Sequence, residues 1–243
     1  MKYFLMIALL LIITIPSNSQ NKFEKDIIKT SGGNLEITFV GHGTLMFKYN
    51  NLIIHIDPVS NFADFSEMPK ADIILVTHQH GDHLDPKAIE KIKTDKTKIF
   101  CNEASSASLP GAKVLKNGDE TTADGIKIEA VPAYNIVHKT SSGNYYHPKG
   151  VGNGYVLTFG DKKVYVAGDT ENVPEMKNLK NIDIAFLPMN VPYTMTPEMV
   201  ADAVKMFNPK ILYPYHYGNT NVDDLVKLLK DKKDCEIRIR SMK

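Results

Sequence analysis

The 243-residue sequence has no tryptophan, two cysteines and almost no excess of either charge. Its 29 Lys and Arg against 28 Asp and Glu give a formal charge of +1, so no basic surplus is present to neutralise a phosphate backbone. Two cysteines with no Cys-x-x-Cys pairing exclude a disulfide scaffold, a cysteine zinc finger and dithiol redox chemistry. No fixed-period repeat, low-complexity tract or long linker divides the chain. A content of 43% hydrophobic and 23% charged residues belongs to a globular domain rather than a disordered segment. What is left is one domain, large enough to bury a substantial core, carrying eight histidines.

The longest apolar run is itself short. Met1-Lys2 precede an apolar stretch from Tyr3 to Ile13, followed by Thr14-Ile15-Pro16 and the small polar segment Ser17-Asn18-Ser19-Gln20. One positive charge, a brief apolar core, a helix-breaking proline and small residues beside the cut describe a secretory signal peptide. Cleavage is expected after Ser19, leaving a mature domain from 20 to 243. A membrane-spanning helix needs about 20 apolar residues, so the mature chain is expected to have no transmembrane span. Cleavage removes Lys2 and no acid, which leaves 28 basic and 28 acidic residues in an exported protein, periplasmic or secreted. Export also permits Cys101 and Cys235 to pair. Each sits at the end of an apolar, strand-like stretch, and two buried free thiols are the preferred reading.

Short β-rich runs alternate with turn signals after a polar lead-in, Gln20 to Asn34. Strands are expected at Leu35–Val40, Leu45–Tyr49 and Leu52–Asp57, with Tyr49-Asn50-Asn51-Leu52 as a hairpin signal. Asp72–Thr77 is nearly continuous in apolar residues, as a strand covered on both faces would be. Pro86–Lys93 reads as a helix with proline near its start. The second half has the same texture, with strands at Ile126–Val131, Tyr155–Phe159, Lys163–Ala167, Ile182–Leu187, Ile211–Tyr213 and Glu236–Ile239. Helices are expected at Thr196–Phe207, where Thr196 is the N-cap and Pro197 the first helical residue, and at Val222–Leu229. The stretch from Asn135 to Gly154 reads as a long loop. This order fits an α/β fold of four layers, an αββα sandwich with two mixed β-sheets face to face and helices outside.

The chemistry concentrates in Thr77-His78-Gln79-His80-Gly81-Asp82-His83-Leu84-Asp85, directly after the buried strand. Residues two apart on extended backbone share a face, so His78 and His80 can converge on one ion. Gly81 permits a sharp bend that would aim Asp82 and His83 at a second. Imidazole and carboxylate ligands suit Zn²⁺, and also Fe or Mn.

His-x-His-x-Asp-His after an apolar strand resembles the metal-binding motif of the metallo-β-lactamase superfamily. Other landmarks follow in family order: Ile56-Asp57-Pro58, Val166-Ala-Gly-Asp169-Thr170 and Pro214-Tyr-His216-Tyr-Gly218. Gly41-His42-Gly43-Thr44 is similar to the branch containing L-ascorbate-6-phosphate lactonase and N-acyl-phosphatidylethanolamine phospholipase D. The resemblance implies two divalent ions: His78, His80 and a third residue on the first, Asp82, His83 and His216 on the second, and Asp169 between them. The sequence departs from the family at that third residue, because Asn135 stands where a histidine is usual. His147, which precedes Pro148 and the next strand, is preferred; His138 and an incomplete site built around Asn135 are the alternatives. Asp57 is expected to orient a ligand and His55 to be a core histidine, while His42 stands between a structural and a supporting role.

The implied activity is that of a secreted, metal-dependent hydrolase. A metal-bound hydroxide would attack a small or lipid-derived ester, lactone or phosphodiester, with Asp82 accepting or relaying a proton. No nucleic-acid partner is expected. A metallo-nuclease, and a non-catalytic metal binder that has lost its third ligand, are the competing readings.

Overall fold

The computed structural model describes residues 23–243, so the expected signal peptide falls outside the described residues. Two seven-stranded sheets are built in sequence order, one from each half of the chain. The first contains β1 (Glu24–Thr30), β2 (Gly33–Gly41), β3 (Thr44–Tyr49), β4 (Leu52–Ile56), β5 (Ile73–Leu75), β6 (Lys98–Cys101) and β7 (Lys113–Val114). The second contains β8 (Glu120–Ala123), β9 (Ile126–Ala133), β10 (Gly152–Phe159), β11 (Lys162–Val166), β12 (Ile184–Pro188), β13 (Ile211–Tyr215) and β14 (Glu236–Ile237). In each, the first four strands pair antiparallel and the remainder parallel. The two halves therefore repeat a topology without repeating a sequence period.

Helices complete the outer layers: α1 (Pro86–Ile92) and the short α2 (Glu103–Ser106) in the first half, α3 (Pro197–Phe207) and α4 (Val222–Leu228) in the second. The β5 strand shows why its sequence is apolar throughout. Ile73 and Leu75 face the core between the sheets, while Ile74 and Val76 pack outward with Ala88, Ile89 and Ile92 of α1. Aromatic rings join the layers, with Phe39 and Phe47 of the first sheet against Phe186 of the second, and Tyr165 edge-on to Phe207 of α3. The α3 start is set by Thr196, whose hydroxyl accepts from Met199 N at 3.2 Å, and by Pro197.

The polar lead-in becomes an ordered edge strand instead of a tail. Glu24, Lys25 and Lys29 of β1 are charged and solvent-facing, a composition that blunts an open sheet edge against pairing with other chains. Cys101 and Cys235 are buried and free, and burial pushes both thiols up to about 11. Among the described residues no helix is long and apolar enough to cross a membrane.

His55 on β4 is fully buried, and its Nε2 donates to Pro69 O at 3.1 Å. Burial pushes its pKa down from 6.5 to about 4. The folded protein therefore keeps this imidazole neutral while the unfolded chain takes up a proton, so stability is lost as the pH falls from 6.5 towards 4. The full loss is about 3 kcal/mol. Urea midpoints measured near pH 7 and near pH 4.5 should fall further in the natural protein than in His55→Gln, which donates to Pro69 but does not titrate. Equal losses in both proteins would remove His55 as a source of acid lability.

Candidate metal centre

The site forms where the carboxyl ends of the central strands of both sheets meet. From the first sheet, β4 delivers Asp57 and β5 leads into His78. From the second, β11 leads into Asp169 and β13 into His216. His42, Asp57 and His216 all adopt left-handed backbone, with φ of 54°, 46° and 47°. Such conformations cost about 1–3 kcal/mol each and persist where surrounding contacts hold them.

The segment after β5 folds as a turn, closed by His83 N and Leu84 N on His80 O at 2.9 and 2.8 Å. Asp85 then caps α1, accepting from Lys87 N and Ala88 N. The bend is present, but Gly81 is not what permits it. Its φ lies outside the left-handed region, and a Cβ there would meet nothing within 4 Å.

The glycine that matters is Gly43. A Cβ on it would lie 2.7 Å from His83 Cε1 and 3.0 Å from Nδ1. Gly43→Ala is expected to displace His83 and weaken metal binding about tenfold or more, whereas Gly81→Ala should keep both its Tm and its metal content. Elemental analysis after dialysis against a weak chelator, beside thermal melts, measures both. A fully loaded Gly43→Ala protein would overturn the steric argument.

Three clusters of ligand atoms, each with members within 4.8 Å of one another, occupy the centre: His78 with His80 and His147; His42 with Asp82, His83 and His216; and His78 with His83 and Asp169. Asp169 joins them. Its Oδ1 is 3.3 Å from His83 Nε2, and its Oδ2 is 3.3 Å from His147 Nε2, 3.5 Å from His216 Nε2 and 3.9 Å from His78 Nε2.

The outward nitrogens are held by protein partners. His83 Nδ1 donates to Asp57 at 2.8 Å, and His78 Nδ1 lies 3.0 Å from the Thr77 hydroxyl. Asp57 also accepts from Thr77 N at 2.7 Å and from the Thr77 hydroxyl at 2.6 Å, so one buried carboxylate fixes both the strand end and a ring. Such partners set imidazole tautomer and orientation.

The inward atoms are different. His78 Nε2, His83 Nε2, His216 Nε2 and Asp169 Oδ1 are buried with no hydrogen-bond partner. An unsatisfied buried polar atom costs about 1–3 kcal/mol, so four converging on one volume fit a site shaped for cations. His80 Nδ1 and His147 Nε2 face each other at 3.2 Å, the approach expected of two lone pairs that share an ion. The donor set of imidazole and carboxylate suits Zn²⁺, Fe or Mn.

The electrostatics follow the same logic. Burial would raise the Asp169 carboxyl, but the His216 and His83 imidazoles outweigh it and hold it well below the usual range. Burial, and then His83, push His78 well below its ordinary value, into the neutral form that ligates a metal. Burial opposes charge on His83, yet the carboxylates of Asp169 and Asp57 outweigh it and push that imidazole up.

Geometry separates the three candidates for the third position. His147 lies in the cluster; Asn135 does not, but its Oδ1 accepts from His147 N at 2.9 Å and Nδ1 at 2.7 Å. His138 points elsewhere, its Nδ1 2.6 Å from Glu171 Oε1. His42, left open between two roles by the sequence, lies 3.1 Å from Asp82 Oδ2 through Nε2 and packs against His216, with ring centroids 3.6 Å apart and planes tilted by 38°. Its place between two glycines in left-handed backbone is the signal that could have promoted it.

Comparison with known proteins identifies the family. The profile of the beta-lactamase superfamily domain matches residues 36–216. A UPF0173 metal-dependent hydrolase of Thermococcus onnurineus is 33% identical over 223 residues, covering 84% of this chain and 96% of that protein. The crystal structure of a candidate metal-dependent hydrolase from Parabacteroides distasonis superposes with a TM-score of 0.87 at 54% identity, over 91% of this chain and 100% of that one. A metallo hydrolase from Ignicoccus hospitalis shares the fold, with a TM-score of 0.66 at 22% identity over 84% of this chain and 94% of that one. A profile match across most of the chain and a relative aligned over nearly its full length place this protein in the metallo-β-lactamase superfamily, within the UPF0173 metal-dependent hydrolase family.

Proposed function

We propose that this chain is an exported, binuclear metal-dependent hydrolase acting on a small or lipid-derived ester, lactone or phosphodiester. The observation that carries the reading is the convergence of His78 Nε2, His83 Nε2, His216 Nε2 and Asp169 Oδ1, all buried without a hydrogen-bond partner. His78, His80 and His147 would hold one ion and Asp82, His83 and His216 the other, with Asp169 shared. Zn²⁺ is the preferred metal, with Fe or Mn as alternatives. Bound ions would lower the pKa of a coordinated water towards about 7 and polarise the oxygen of the group under attack.

The chain's own residues do the rest. Asp82 is half-exposed, with Oδ2 within 3.1 Å of His42 Nε2 and 3.5 Å of His216 Nε2, so it can accept a proton at that oxygen and pass it outward. Asn190, Tyr146 and Tyr193 stand over the cluster and would orient the substrate. The Gly41–Thr44 segment supports a position near the branch of L-ascorbate-6-phosphate lactonase and N-acyl-phosphatidylethanolamine phospholipase D, because Gly43 and His42 serve the centre directly.

Elemental analysis of the purified protein, with a panel of phosphodiester, lactone, ester and β-lactam substrates, tests the reading. About two metal equivalents are expected, with turnover of at least one substrate abolished in His80→Ala. Less than one equivalent, or full activity in His80→Ala, would favour a non-catalytic relative. N-terminal sequencing of the exported protein should begin at Gln20.

A further inference from the structure

We infer that the site takes an uncharged carboxylic ester or lactone carrying an aromatic or aliphatic group, bound against a wall made by Tyr146 and Tyr193. This rests on the hydrolase reading above and narrows its substrate class. The cavity over the cluster measures about 400 Å³, and its floor is the histidine–aspartate centre. Its wall comes from two loops. Tyr146, from the loop between β9 and β10, and Tyr193, from the turn after β12, meet edge to face with ring centroids 5.1 Å apart.

The wall is held in place. Asn135 Nδ2 donates to Tyr193 O at 2.9 Å, linking the two loops. The Tyr193 turn is closed by Tyr193 N and Thr194 N on Asn190 O, each at 2.8 Å, and by Asn190 N on the buried Thr194 hydroxyl at 2.7 Å. A preformed aromatic surface binds apolar groups at low entropic cost.

Two further observations set the substrate class. Of eight exposed large apolar side chains among the described residues, five (Ile136, Val137, Tyr145, Val191 and Tyr193) lie on these same two loops. Tyr193 lines the cavity itself, and exposed apolar side chains gathered on the two loops that carry its wall mark a binding surface. Charge points the same way. Among the described residues lining the cavity none is a lysine or arginine, and its carboxylates are those of Asp82 and Asp169. Beyond ions held at its floor the cavity has no cation to hold a phosphate, scissile or remote, whereas a neutral acyl group needs none.

The reaction is a hydrolysis. The acyl carbon loses its bond to the alcohol oxygen and gains one to the water oxygen. One water proton goes to the departing alcohol, the other to solvent as the acid ionises. Nothing is oxidised or reduced.

The test uses the metal-loaded full chain with p-nitrophenyl acetate, butyrate and hexanoate, and with bis(p-nitrophenyl) phosphate. Across the ester series kcat/KM should rise by up to about fourfold per buried methylene. The phosphodiester should be turned over at least about tenfold less efficiently than the hexanoate. The double variant Tyr146→Ala/Tyr193→Ala should flatten the series and raise the inhibition constant of benzylacetone, an uncharged ketone, about tenfold. Tyr146→Phe/Tyr193→Phe should restore both, since the rings and not the hydroxyls are required. Metal content measured in each variant separates wall from centre. A flat ester series, or a preference for the phosphodiester, overturns the inference and leaves the hydrolase reading standing. A chain loaded with two metals that turns over no member of either class overturns both.

Discussion

Replacing Asp169 with asparagine is expected to lower turnover on the order of 10³-fold and to leave about one metal equivalent or fewer. On the proposed assignment Asp169 is the group that the two halves of the centre would share. Its two oxygens lie within 3.3 to 3.9 Å of His83, His147, His216 and His78, imidazoles assigned here to both ions. Asparagine keeps the shape but has one oxygen and no charge, so it can serve one ion at best. Metal-ion stabilisation of developing charge contributes several kcal/mol, and about 4 kcal/mol corresponds to the stated loss. The substitution should leave the core intact, because Val164, Val166 and Ala167 before it pack independently of the carboxylate. Near-ultraviolet circular dichroism checks that. Two retained equivalents with near-normal turnover would refute the shared role.

Much of this arrangement can be read from the sequence, because its parts are local. His78, His80, Asp82 and His83 fall within six positions after an apolar run, and short β-rich runs bounded by turn signals placed most strands within a residue or two. Asp169 and His216 come into view only through family resemblance, since one Asp and one His at separate strand ends carry no local pattern. The misreadings share a cause. β1 was hidden because its inward face carries Asp26, Ile28 and Thr30, of which only Ile28 is apolar, while the adjacent Ile27 is 62% exposed, so no apolar alternation marks it. Gly81 looked like a hinge because it sits at a turn, yet steric demand falls on Gly43, which must clear a ring 40 positions away along the chain. Long-range contacts decide such roles.

Asn135 is the sharpest case, and a second large effect follows from it. Asn135→Leu should weaken metal binding about 10- to 100-fold although Asn135 is not placed as a ligand. Its Oδ1 accepts from both His147 N and Nδ1, so the ring hydrogen resides on Nδ1 and the Nε2 lone pair faces the centre. Which end of the amide faces His147 is set by its other end, where Nδ2 donates to Glu171 Oε1 at 3.0 Å and to Tyr193 O at 2.9 Å. Glu171 is fully buried and also accepts from Ile136 N, Val137 N, His138 N and His138 Nδ1. Burial would raise its pKa, but these donors, Asn135 first among them, outweigh that and keep it ionised. On the proposed assignment two residues replace the missing family histidine: His147 would supply the nitrogen, and Asn135, held by Glu171, would aim it. Chelator competition on three variants separates the contributions. Asn135→Leu should lose most and Asn135→Asp less, because an aspartate still accepts from His147 while repelling Glu171. His138→Ala should stay within about twofold of the natural protein, its ring lying outside the cluster. If His138→Ala loses as much as Asn135→Leu, the third ligand belongs to His138; if Asn135→Leu loses nothing, His147 needs no aiming and the relay from Glu171 is structural alone.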